Sequence, residues 1–149
     1  MKQPFPRPQH PNLAVRRGLS GLGLFATGPI KKGAFVIEYW GEVVSEDEAN
    51  RRGGKYLFEL DHDKAIDGTT RKNTARYMNH SCRPNCESDT VGTRVYITAL
   101  RAIREGEELT YDYGKEYWND HMGPDRCRCA RCLKRRAKAG STISKRKKQ

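Results

Sequence analysis

Four short stretches of this chain carry side chains whose types and spacing could do chemistry. Asn79-His80-Ser81-Cys82 sets an amide, an imidazole, a hydroxyl and a thiol in succession. An amide both donates and accepts, and an imidazole can be held in one tautomer by its neighbours, so the pair suits fixing a polar ligand. Further on, Gly106-Glu107-Glu108-Leu109-Thr110 leads into Tyr111-Asp112-Tyr113. Alternate residues of a strand share a face, so the two tyrosines either line a channel or pack a core together. Cys127, Cys129 and Cys132 then form Cys-x-Cys-x2-Cys. Three thiolates make an incomplete zinc site, because closed structural sites take four ligands in a tetrahedron. A redox pair at Cys129 and Cys132 is the rival reading, although no thioredoxin-like βαβ pattern accompanies it. Near the N-terminus, Ser20-Gly21-Leu22-Gly23-Leu24 could let a backbone approach a ligand closely, or could be an ordinary turn. It is not a dinucleotide fingerprint: the third glycine is missing, no strand signal runs into it and no helix signal follows.

The elements that must position these groups are mostly short strands. Ala34–Tyr39, Tyr56–Leu60 and Arg94–Thr98 are β-branched and aromatic and are predicted as strands. Ser45 with Glu48 three residues on forms a capping-box pattern, which predicts a helix over residues 45–52 ended by Gly53-Gly54. A second helical turn or two is predicted over residues 115–121, stopped before Gly123-Pro124. Residues 1–12 carry Pro4, Pro6, Pro8 and Pro11 and read as extended and poorly ordered, within a Pro-rich lead-in over residues 1–17. After Leu133 the composition becomes Lys, Arg, Ala, Gly and Ser, too polar to bury a core, so residues 134–149 read as a disordered basic tail. The fold class is therefore β-rich α+β, one domain in 149 residues between two loose ends.

Net charge is +11, unevenly spread. Eleven of the 29 Lys and Arg lie from Arg126 onward with no Asp or Glu among them, so the remainder balances all 18 acidic residues. A basic arm on a neutral body suits a nucleic acid or another polyanion, or serves only as a solvated tail. No stretch approaches the roughly 18 apolar residues of a membrane span, and there is no signal-peptide core. Five cysteines, three of them within residues 127–132, fit metal ligation in a reducing compartment better than a disulfide framework. An intracellular location is expected: a bacterial cytoplasm, with export to a host cell open, or the nucleus and its chromatin in a eukaryote.

Together these motifs resemble the SET-domain protein-lysine N-methyltransferases over residues 18–133. The opening Gly21–Glu42 run, with Ile30-Lys31-Lys32-Gly33 and Glu38-Tyr39-Trp40-Gly41-Glu42, matches the family's first motif, and Ala75–Cys86 matches its Asn-His-Ser segment in register. The resemblance implies a SET fold of small curved sheets with pseudoknot-like threading of the C-terminal motifs, residues 18–114 forming the domain and 115–133 a post-SET segment. It implies S-adenosyl-L-methionine as methyl donor, held by Ser20, Leu22, Tyr56, Asn79 and His80. It implies Tyr113 as the catalytic tyrosine, Tyr39 as its companion, and Tyr111 at a position where the family has Phe or Tyr. A tyrosine there leaves less room for successive methyls, so monomethyl- and dimethyl-lysine are expected. Cys82 would complete a structural zinc site with Cys127, Cys129 and Cys132, leaving Cys86 as a small buried residue. Two residues separate the last two cysteines where the eukaryotic post-SET spacing has four; the shorter form resembles small stand-alone bacterial SET proteins. Tyr117 or Trp118 could cap the adenine or simply pack. The substrate implied is a histone or a histone-like, DNA-binding protein. The alternative is a catalytically weak SET scaffold that binds nucleic acid or protein through its basic tail, and the tail's own lysines are a third candidate substrate.

Overall fold

The computed structural model of the chain describes residues 8–18, 21–114 and Lys134. Ser20, Tyr117, Trp118, the helix predicted at 115–121, the three clustered cysteines and all of the basic tail but Lys134 lie outside the described residues.

Among the described residues, ten short strands build three small sheets. The first sheet contains β1 (Leu13–Gly18), β2 (Gly21–Ala26), β10 (Glu108–Tyr111) and β7 (Asn79–His80), in the order β1-β2-β10-β7. The second contains β3 (Phe35–Tyr39), β9 (Arg94–Ala99) and β8 (Cys86–Val91), in the order β3-β9-β8. The third contains β4 (Glu42–Ser45), β6 (Lys64–Asp67) and β5 (Leu57–Leu60), in the order β4-β6-β5, with the helix α1 (Glu46–Arg52) following β4. All pairings are antiparallel except β10 with β7, where Thr110 stands opposite Asn79 and Tyr111 opposite His80.

Side-chain alternation explains how the sheets close on one core. In β9, Val95, Ile97 and Ala99 are buried while Arg94, Tyr96 and Thr98 are half-exposed, the period of a strand with one wet face. Leu109 and Tyr111 repeat this in β10. They join Leu24, Ile30, Val36, Ile37, Tyr39, Ile66, Met78 and Ile103 in one cluster shared by all three sheets. A fully buried Leu or Ile contributes about 1.5–3 kcal/mol relative to its exposed state, so this cluster is the main driving force. A smaller one, Val44, Ala49 and Ala65 with Leu57 against it, seats α1 on the third sheet.

The helix forms where its caps place it. Ser45 is the N-cap and its Oγ accepts the Glu48 N–H at 3.1 Å; Gly53, at φ 63°, closes the C-terminus with its N–H donated to Ala49 O. The capping box is only half made, because the Glu48 carboxylate turns to Arg52 at 3.0 Å and to Arg51 at 3.3 Å. Arg52 also reaches Glu42 and Asp67, each at 2.9 Å, tying α1 to β4 and β6. Burial alone would raise the Asp67 carboxyl, but hydrogen bonds from Thr69 and Arg52 outweigh it and hold the group below its ordinary range.

Two regions differ from the expectation. The Gly-x-Gly segment is itself strand β2, and β1 runs into it from the N-terminal side. The segment read as a lead-in therefore contains an ordered strand: β1 pairs along its whole length with β2, supplying partners that the weakly apolar Leu13–Gly18 sequence does not advertise. The residues before it are also held, with His10 N–H donated to Val36 O at 2.7 Å and Asn12 Nδ2 to Pro29 O at 2.9 Å.

Candidate active site

Strand β10 is the axis of the site, since it lies between β2, which carries Gly21-Leu22-Gly23, and β7, which is Asn79-His80. Three motifs far apart in sequence thus meet on adjacent strands. Asn85 secures β10 from the side: its Nδ2 donates to Glu108 O at 2.8 Å and its Oδ1 accepts the Thr110 N–H at 2.9 Å. Asn85 is buried, so it does for β10 what a neighbouring strand would, satisfying one carbonyl and one N–H.

On the polar face of β10 the Glu108 side chain crosses toward β2 and β7. Asn79 Nδ2 donates to Glu108 Oε2 at 2.7 Å and to Leu22 O at 3.0 Å, fixing the orientation of the amide. The carboxylate lies over Gly23, where a Cβ would come within 2.5 Å of Glu108 Oε2. Gly23 is thus a position of close approach, while Leu22 remains half-exposed and a Cβ on Gly21 would meet nothing within 4 Å. Open backbone at Gly21-Leu22, beside an oriented amide and a carboxylate, suits a ligand that is polar and carries positive charge. Glu108 escaped the sequence reading because its role depends on partners up to 85 residues away. Tyr56 is covered differently: the Arg76 guanidinium stacks over its ring at 4.2 Å and the Lys55 ammonium lies at 5.2 Å. Arg76 also donates to Thr69 O, while its buried Nε has no hydrogen-bond partner among the described residues.

On the other face the predicted tyrosines come together. Ring centroids lie 4.9 Å apart for Tyr111 and Tyr113, 6.4 Å for Tyr111 and Phe58, and 5.3 Å for Phe58 and Tyr39. Phe58, on β5, is the member that residue patterns alone had left as an ordinary strand residue; it bridges Tyr39 to the Tyr-x-Tyr pair. The hydroxyls are anchored: Tyr39 donates to Tyr56 O at 2.7 Å and Tyr113 donates to Met78 O. Tyr39 and Tyr111 are buried and Tyr113 is half-buried against the core, so the cluster runs from the interior toward the surface.

His80 stands between the two faces, with its side chain only 1% exposed. Its Nδ1 accepts the Tyr113 N–H at 3.0 Å and its Nε2 lies 3.4 Å from Cys82 Sγ. Burial pushes the imidazole below its ordinary pKa, against the opposing pull of Asp112, and an Nδ1 that accepts the Tyr113 N–H carries no proton of its own. The 3.7 Å approach of Asp112 Oδ1 is accordingly not an ion pair. Both ring nitrogens face protein, so the imidazole itself is not presented to a ligand. Cys86 is fully buried, and burial pushes its thiol up to about 12 despite nearby Arg101. Among the described residues no group of three or more His, Cys, Asp or Glu could hold a metal; of the four predicted ligands only Cys82 is described, half-buried beside His80.

Comparison with known proteins places this geometry. Residues 21–114 match the protein-family model described as the SET domain. The chain belongs to the SET-domain family, in agreement with the strand-rich α+β architecture. It is 41% identical over 131 residues to the histone-lysine N-methyltransferase trithorax of Drosophila virilis, an alignment covering 80% of this chain and 3% of that protein. It is 38% identical over 133 residues to histone-lysine N-methyltransferase 2D of Homo sapiens (80% of this chain, 2% of that protein) and, at the same identity and length, to the histone-lysine N-methyltransferase trr of Drosophila melanogaster (80% and 6%). The chain thus spans only a small fraction of the length of the curated relatives it matches.

Proposed function

We propose that this chain transfers a methyl group from S-adenosyl-L-methionine to the ε-amine of a lysine in a basic protein, a histone or a histone-like, DNA-binding protein. The observation that carries the reading is the convergence on β10 of a polar corner (Leu22, Asn79, Glu108) and a tyrosine-lined cluster (Tyr39, Phe58, Tyr111, Tyr113). Membership of the SET family and the names of the relatives favour the same activity and substrate class.

When bound, S-adenosylmethionine supplies an electrophilic methyl group on a sulfonium centre. The residues present suit such a ligand: open backbone at Gly21-Leu22, the oriented Asn79 amide and the Glu108 carboxylate offer hydrogen bonds and negative charge to a cationic amino-acid moiety. Ser20, outside the described residues, adjoins this backbone, and Tyr56, with Arg76 stacked on it, and the His80 main chain complete the proposed holding set.

The chain's own contribution to the reaction is positioning and dehydration. The incoming lysine must be neutral to attack, and an aromatic channel strips water from the ammonium, which lowers its pKa. The aromatic faces offset part of that desolvation by attracting the cation. The Tyr113 hydroxyl, pinned to Met78 O through its proton, presents its oxygen lone pairs to the amine and keeps the nucleophile aimed. Holding two reactants in line can supply about 7–11 kcal/mol of the barrier reduction; the ammonium gives up its proton to water before attack, so the chain need supply position rather than a covalent nucleophile. Tyr111 narrows the channel and limits the product mainly to monomethyl- and dimethyl-lysine. Cys82 with Cys127, Cys129 and Cys132 would supply four thiolates, the ligand number of a structural zinc, and such a site would tie the segment after Gly114 to the rest of the chain.

Isothermal titration of the full chain with S-adenosylmethionine tests the reading. Saturable binding that Asn79→Ala weakens supports it, and no heat at any concentration overturns it. The eleven cations after residue 125 favour a second role, docking on a polyanion. Deleting residues 134–149 should then abolish polyanion binding while peptide methylation survives.

A further inference from the structure

We infer that His80 is a positioning residue whose ring links the Cys82 thiol to the backbone of Tyr113. The inference rests on the proposed role of Tyr113. The neighbouring backbone shows why the ring is needed. Pairing between β7 and β10 ends at Tyr111, whose carbonyl accepts the Ser81 N–H at 3.2 Å; β7 then turns away. The Tyr113 N–H therefore has no β7 carbonyl to meet, and the His80 ring takes its place, accepting at Nδ1 over 3.0 Å.

That acceptance fixes the tautomer. A backbone N–H can only donate, so Nδ1 must present its lone pair, and the single proton of a neutral imidazole must sit on Nε2. Nε2 in turn lies 3.4 Å from Cys82 Sγ, within reach of a hydrogen bond to sulfur. With the side chain 1% exposed, water does not compete for that proton. Asp112 offers no alternative: its Oδ1 is 3.7 Å from Nδ1, which is already an acceptor, and it takes the Gly114 N–H at 2.9 Å instead. The ring is further fixed by edge-on packing against Tyr113, with centroids 5.3 Å apart.

The two bonds have separate consequences. The Nδ1 bond sets where the chain enters Tyr113, and hence where the phenol points. The Nε2–H bond to the Cys82 sulfur sets where that side chain sits beside the ring. One imidazole thus couples the placement of the tyrosine to that of the cysteine.

Nitrogen NMR on the histidine-labelled full chain tests this directly. The expected result is an unprotonated Nδ1 and a protonated, slowly exchanging Nε2 for His80 at neutral pH; an Nδ1–H tautomer, or an imidazolium, overturns the proposal. Two isosteres separate the bonds. His80→Asn puts an amide oxygen near the Nδ1 position, so Tyr113 amide exchange should stay slow while Cys82 alkylation changes by roughly three- to tenfold, the factor one hydrogen bond carries. His80→Gln reaches toward Nε2 and should reverse the pattern. Identical effects of both substitutions on both readouts would also overturn it. None of these measurements needs methyl transfer, so the relay and the enzymatic reading fail independently.

Discussion

Replacing Asn85 by alanine should loosen β10 and with it the tyrosine cluster. The buried amide makes two hydrogen bonds to β10, from Nδ2 to Glu108 O at 2.8 Å and from the Thr110 N–H to Oδ1 at 2.9 Å. Alanine leaves both backbone groups without their partner. Each stranded buried group costs about 1–3 kcal/mol. Glu108 and Thr110 are half-exposed, so some water can enter and the lower part of the summed range applies, about 2–4 kcal/mol. For a domain of this size that is a fall in Tm of about 4–16 °C. The loss should be local first: the Thr110 amide proton is expected to exchange about 30- to 900-fold faster, the same free energy read at one site. Because Tyr111 ends this strand and Tyr113 follows two residues on, kcat should fall by about 100-fold, the effect of roughly an ångström of misplacement at a reaction centre. Native-state hydrogen exchange with a thermal melt measures both parts. A loss below about 1 kcal/mol with unchanged Thr110 exchange would show that Asn85 does not hold β10 and would refute the reasoning.

Three further outcomes follow from the same geometry. Gly41→Ala should destabilise the chain by at least about 2 kcal/mol in denaturant titration, since its Cβ would lie 2.0 Å from Asp67 O, a backbone atom with little freedom to retreat. Tyr111→Phe should shift the product toward trimethyl-lysine in mass spectra, because it removes the hydroxyl that narrows the channel; an unchanged product ratio counts against the proposed limit. Cys86 gives a pH signature: its folded-state pKa, raised to about 12 by burial, lies above an unfolded value of roughly 8.5. Its stabilising contribution is therefore complete below pH about 8.5 and is lost as pH rises toward 12. Alkaline unfolding curves of wild type and Cys86→Ala should converge over that window, and Cys86 should resist alkylation at pH 8 while the protein is folded.

Much of the scaffold was legible because local signals and tertiary structure agree. The strands at Phe35–Tyr39, Leu57–Leu60 and Arg94–Ala99 are β-branched or aromatic and lie within one residue of expectation. Helix α1 is bounded by the Ser45 and Gly53 caps that its sequence announces. Strands β1, β2 and β7 were not legible, since Arg16-Arg17, the paired glycines and a two-residue segment carry little intrinsic strand preference. They are strands because β10 and one another supply their hydrogen bonds. In the site, Tyr39, Tyr111 and Tyr113 could be named from motifs. Glu108, Asn85 and Phe58 could not, because their roles are bonds and ring contacts to groups distant in sequence. The inward turn of His80 is invisible for the same reason, as the Tyr113 N–H that it accepts lies 33 residues away.

The central claim, lysine methylation by this chain, is tested most directly by incubating the full protein with methyl-labelled S-adenosylmethionine and a panel of histones and DNA-binding proteins. Peptide mass spectrometry then locates the label. Label is expected on lysine ε-amines, mainly as one or two methyl groups, and is expected to be lost in Tyr113→Phe. Label that persists undiminished in Tyr113→Phe, or wild-type protein that binds the cofactor yet labels no lysine in any substrate or in itself, would contradict it.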